Sequence, residues 1–90
     1  MTGDATLRRL RMRSIRRGIR EMDLILSGYA ETRLDELDPE EIALYDALLS
    51  ENDQDLYRWV SGRAPTPDHY AALVADIARV TEARAGSGKL

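Results

Sequence analysis

Apolar residues recur along this chain at spacings of three and four, the repeat of a helix that buries one face. No run alternates Val, Ile, Thr and aromatics in the manner of a strand, and Phe is absent. The pattern predicts five helices. Asp4 or Thr6 can cap the first, which carries Leu7, Leu10 and Ile15 and ends near Gly18. The second runs from about Ile19 to Leu34, with Met22, Ile25, Leu26, Tyr29 and Leu34 on one broad stripe. At helical rise it would be about 24 Å long.

The clearest local signal is Asp38-Pro39-Glu40-Glu41. Asp38 suits an N-cap, Pro39 the first helical position, and Glu41 can reach back to complete a capping box. The third helix follows to about Leu49, with Ile42, Tyr45, Leu48 and Leu49 inward, and a polar break spans Ser50 to Asp53. A short fourth helix, Gln54 to Val60, carries Leu56, Tyr57, Trp59 and Val60 and is stopped by Gly62. Thr66-Pro67-Asp68 repeats the cap-then-proline start and opens a fifth helix through Tyr70, Leu73, Val74, Ile77 and Val80. The predicted architecture is all-α: a compact five-helix bundle forming a single small domain over residues 4–84, followed by a flexible tail over 85–90.

Composition narrows the chemistry. With 90 residues and no cysteine, the chain can bury only a limited core and has no thiolate nucleophile, disulfide or cysteine-ligated metal. The lone histidine, His69, cannot build a metal site by itself, so neither a metal nor a catalytic residue is predicted. No apolar run approaches the roughly 20 residues that span a bilayer, which sets the expectation of a soluble, intracellular protein without membrane insertion. Charge is strongly polarised. Residues 1–20 hold seven arginines against one aspartate, a charge of +6, whereas residues 21–90 hold fifteen acidic and six basic residues, a charge of −9. The basic segment suits nucleic acid, anionic lipid or an acidic protein surface; the acidic remainder argues against wrapping a phosphate backbone.

Arg16-Arg17-Gly18-Ile19-Arg20-Glu21-Met22-Asp23 places a glycine between clustered arginines and the acidic, apolar start of a helix. Glycine is costly inside a helix but natural where one helix stops and another starts. Two readings of this corner compete. In the first, Arg16 and Arg17 offer planar charged forks to a carboxylate or phosphate, Gly18 permits close approach, and Glu21 accepts hydrogen bonds from a partner. In the second, Gly18 is an N-cap and Glu21 bonds backwards to the backbone, with Arg17 and Glu21 forming a local pair. On composition alone the capping reading carries more weight.

Arg17-Gly18-x-x-Glu21, preceded by Arg16 and followed by Asp23, resembles the RGxxE signature of the flavinylation factors of succinate dehydrogenase, small assembly factors of bacteria with a mitochondrial counterpart. Leu48-Leu49 followed by Asp53-x-Asp55-Leu56-Tyr57-x-Trp59 is similar to a second block of that family. RGxxE alone is weak; both blocks in order, across roughly residues 7–80, are specific. Ser14-Ile15 and Tyr29 depart from residues frequent in the family, a large aromatic or cysteine and a phenylalanine.

The resemblance implies a five-helix, non-enzymatic assembly factor that binds the flavoprotein subunit of succinate dehydrogenase, or of fumarate reductase, and promotes covalent attachment of FAD to a histidine there. It implies that Arg17, Gly18 and Glu21 are the functional residues, flanked by Arg16 and Asp23. It implies no stably bound cofactor, FAD belonging to the client; the protein is expected to be a monomer in the bacterial cytoplasm. The alternative from another class is a small nucleic-acid-binding regulator using its basic helix over residues 8–20, although no recognition helix follows a turn there. Among other candidates, His69 is expected to be solvated, at least one of Tyr57 and Trp59 to pack in the core, and the acidic run Asp35 to Glu41 to serve as a solvated cap rather than a cation site.

Overall fold

A computed structural model describes residues 4–88. Every regular element among them is helical: α1 (Asp4–Arg13), α2 (Arg20–Arg33), α3 (Pro39–Leu48), α4 (Asp53–Val60) and α5 (Ala71–Gly88), with 3₁₀ turns at Leu34–Glu36 and Asp68–Tyr70. The second helix is the hub, packing against α1, α4 and α5. Its stripe explains why. Met22, Leu26 and Tyr29 are buried together with Leu10 of α1, Tyr45 and Leu48 of α3, Leu56 of α4 and Ile77 of α5. The Tyr29 and Tyr45 rings meet at 5.6 Å between centroids. Tyr29 donates its hydroxyl to Asp76 at 2.7 Å; Tyr29 and Ser14 are buried in the bundle, while Ile15 is half-buried.

The helix ends follow local chemistry in most places. Asp38 accepts from the Glu41 N–H at 2.8 Å while Glu41 accepts from the Asp38 N–H at 2.9 Å, the expected capping box. Asn52 caps α4 through the Gln54 N–H. That helix closes in a Schellman arrangement: Gly62 has φ +78, its N–H reaches Trp59 O, and the Arg63 N–H reaches Arg58 O.

Five boundaries differ from expectation. The first helix starts at Asp4, so Thr6 lies inside it, and it ends at Arg13, which leaves Ile15 in the following turn. The second helix is capped at Ile19, not Gly18, and no side chain caps it. At Thr66-Pro67 no side chain caps the start; Pro67 stays extended, and a 3₁₀ turn carries Tyr70 inward to donate to Glu51 at 2.8 Å before α5 begins. Finally, α5 continues through Ala85–Gly88, where the tail was expected to begin; Lys89 and Leu90 lie outside the described residues.

Candidate functional site

The corner between α1 and α2 is built from the inside outwards. Ser14, fully buried, ends α1: its hydroxyl donates to Leu10 O at 2.7 Å and shares a 2.7 Å hydrogen bond with the Tyr45 hydroxyl. Burial pushes that tyrosine up to about 12, although the Ser14 hydrogen bond and the nearby Arg17 charge act in the opposite sense. Arg16 then turns the chain. Its φ of +56 is the only positive value at a non-glycine among the described residues, and its N–H donates to Asp23 Oδ1 at 2.9 Å. An arginine in this left-handed region carries roughly 1–2 kcal/mol of backbone strain, so the surroundings must hold it there.

What holds it is Arg17. The guanidinium donates through Nε to Asp53 Oδ1 at 2.9 Å and through Nη1 to Arg13 O at 2.8 Å. Nη2 lies 2.8 Å from the same Asp53 oxygen and donates to Leu49 O at 3.0 Å. The two side chains are only 11% and 16% exposed. The other Asp53 oxygen accepts the Gly18 N–H at 2.6 Å. A Cβ at position 18 would stand 3.1 Å from that oxygen, so the missing side chain gives room to an internal carboxylate. Asp53 opens α4, and its carboxylate together with the Arg17 guanidinium ties the turn after α1, the end of α3 and the start of α4 into one unit.

This geometry corrects the expectation for Arg17. Its fork is not offered to a partner, and it pairs with Asp53 rather than with Glu21. The capping alternative is corrected too, because Glu21 does not reach back to the backbone. Glu21 is instead exposed, as are Arg16, Gly18 and Arg20, and none of these side chains makes an ion pair among the described residues. Asp23 is half-buried and turned toward the Arg16 N–H. The predicted site residues are therefore gathered at one place but in two layers: Arg16, Gly18 and Glu21 at the surface with Arg20, and Arg17 behind them on Asp53. Asp53 belongs to the second sequence block, yet nothing local announced its partner; the signal available was one acidic residue in a block that accompanies an arginine block.

The rest of the basic segment is largely neutralised within the molecule. Arg9 and Arg13 both bond Asp46, Arg13 also reaches Ser50 Oγ at 2.9 Å, and Arg11 pairs with Asp35 at 2.6 Å. The hydrogen bond from Arg9, helped by the charges of Arg9 and Arg13, outweighs the opposing effect of burial and holds the Asp46 carboxyl below its ordinary range. The basic helix thus meets the chain's own acidic surface. His69 is exposed and stacks on Tyr70 at 4.0 Å between centroids, while Tyr57 and Trp59 are both half-buried, Trp59 against Tyr70. Within the acidic run, Asp35 and Glu36 pair with Arg11 and Arg33, and Asp38 and Glu41 form the cap. No helix among the described residues is long and apolar enough to cross a membrane.

Fold and corner together define a small all-α protein with one charged, internally braced turn on its surface. The chain belongs to the Sdh5 family, described as flavinator of succinate dehydrogenase, whose profile it matches over residues 8–81. Similar proteins include three named "Succinate dehydrogenase assembly factor 2, mitochondrial". That of Drosophila grimshawi is 39% identical over 71 residues, covering 77% of this chain and 48% of that protein. That of Schizosaccharomyces pombe is 41% identical over 69 residues, 77% and 50% of the two chains. That of Saccharomyces cerevisiae is 44% identical over 66 residues, 70% and 41%. The chain spans half or less of the length of these relatives. They are eukaryotic and each is named mitochondrial, which overturns the expectation of a bacterial cytoplasmic protein. Nothing among these relatives favours the nucleic-acid-binding alternative.

Proposed function

We propose that this chain is an assembly factor that docks on the flavoprotein subunit of succinate dehydrogenase, and of fumarate reductase where that client exists, and promotes covalent attachment of FAD. The observation that carries this reading is the span of the family match, residues 8–81, which takes in the corner and the Asp53–Trp59 block together. The docking edge is Arg16, Gly18 and Glu21, with Arg20 beside them; Asp23 and Arg17 act from behind by fixing the turn.

Forming a histidyl–flavin bond draws on the reactivity of the flavin and of the client's histidine. The contribution of this chain is geometric and electrostatic. An edge that presents two exposed guanidinium groups and one carboxylate can hold client segments of complementary charge in the arrangement that brings the reacting groups together. The chain acts as a monomer, keeps no cofactor of its own and supplies no catalytic group. In support, the one histidine, His69, is exposed and stacks on Tyr70.

The test is to express the apo flavoprotein subunit with and without this chain and to read covalent flavin fluorescence in a denaturing gel. Stronger fluorescence with the chain is expected. Equal fluorescence in both lanes would overturn the reading.

A further inference from the structure

The docking edge has its exposed groups on a turn strained at Arg16, and part of what braces that turn comes from a residue 35 positions away in sequence from Gly18. We infer that Asp53 is a positioning residue for docking: clamped between Arg17 and the Gly18 N–H, it pre-shapes the Arg16–Glu21 edge before any partner arrives. The inference rests on the proposed function and assigns a role that lies outside the RGxxE block.

Three observations carry it. Asp53 accepts from Arg17 Nε and the Gly18 N–H, one at each oxygen, and Arg17 Nη2 lies 2.8 Å from Oδ1, which leaves little of its carboxylate for anything outside the molecule. The same guanidinium also ties off Leu49 O at the end of α3 and Arg13 O at the end of α1, so the clamp fixes the turn against three helices at once. Lysine could not do this, because a single ammonium cannot span acceptors arranged around a planar fork. The edge residues themselves, Arg16, Arg20 and Glu21, make no ion pair among the described residues that would order them independently. Without the clamp, the turn would sample other conformations, and binding would have to supply the ordering.

A positioning role predicts a specific split. The apo flavoprotein subunit is titrated with the chain, and covalent flavin is read at each concentration for wild type, Asp53→Asn, Arg17→Lys and the double variant. The temperature is one at which circular dichroism shows each variant fully helical. Each single variant should raise the half-saturating concentration about tenfold, the loss of a preorganised edge, while the plateau stays at the wild-type level. The double variant should be no worse than the worse single, because both break one clamp. A shift of less than about twofold in the folded singles, a lowered plateau, or additive losses in the double would overturn the role. Should Asp53→Asn not fold, Asp53→Glu replaces it: the charge is retained while one further methylene displaces the carboxylate from Arg17 Nε and the Gly18 N–H, and the same shift is expected. The wild-type arm keeps the two readings apart. A wild type with no effect over the chain-free control sinks the proposed function, whereas a working wild type with unshifted variants sinks only the role of Asp53.

Discussion

The interior where α2 meets α4 and α5 and the corner where α1 turns into α2 are held by opposite kinds of force. In the interior, Leu26, Leu56 and Ile77 are fully buried and owe their places to apolar packing, which is non-directional and tolerates changes that conserve volume. At the corner almost every constraint is a directed hydrogen bond to a charged group, and two of the three elements fixed by Arg17 are reached through carbonyl oxygens. The first region determines whether the chain folds. The second determines what shape the folded chain shows to a partner, and it does so at little cost in core volume.

Substitutions can pull these two roles apart. Ile77→Ala empties a fully buried position and should cost roughly 2–5 kcal/mol, read by urea denaturation. Flavinylation should then fall only with the folded fraction. Arg17→Ala leaves the largely buried Asp53 carboxylate short of its main partner, at roughly 1–3 kcal/mol in the same measurement. Here assistance should drop further than the folded fraction does, because the edge loses its shape. Glu21→Ala removes an exposed side chain and should leave stability within about 0.5 kcal/mol, yet abolish assistance in the gel assay. A Glu21 variant that is strongly destabilised would show that the corner, too, is mainly scaffold.

The smallest effect is in acid. Burial by itself would raise the Asp76 carboxyl, but the hydrogen bonds from Tyr29 and Arg79 and the charges of Arg33 and Arg79 outweigh it and hold it below the usual range. A carboxyl depressed in the folded state contributes stability above its unfolded pKa of about 3.9, and that contribution is lost as pH falls through the lower folded value. The melting temperature should therefore decline below about pH 4, and Asp76→Asn should flatten that decline. The corner should be unaffected, since Asp76 lies on α5 and bonds Tyr29, Arg33 and Arg79.

The elements were legible where neighbours in sequence settle them. The Asp38–Glu41 box and the Gly62 stop are local geometry, and both appear where residue type alone places them. The Thr66-Pro67 start carried the same local signal but failed, because drawing Tyr70 inward to Glu51 favoured a tighter turn over a capped α-helix start. At the corner, the residues picked by type lie together at one turn, but Arg17 faces inward to Asp53 where it was expected to face a partner. Arg17 and Asp53 stand 36 positions apart, and charge pairs at that distance are set by how helices pack, which no local pattern encodes.

Gly18 draws the eye in the sequence, but the chain reverses at Arg16, which sits where glycine would be at ease. Exchanging Arg16 for glycine would relax the backbone while deleting a guanidinium from the edge. Such a variant should melt later and assist less, so that a screen for thermal tolerance alone would select away the activity it was meant to preserve.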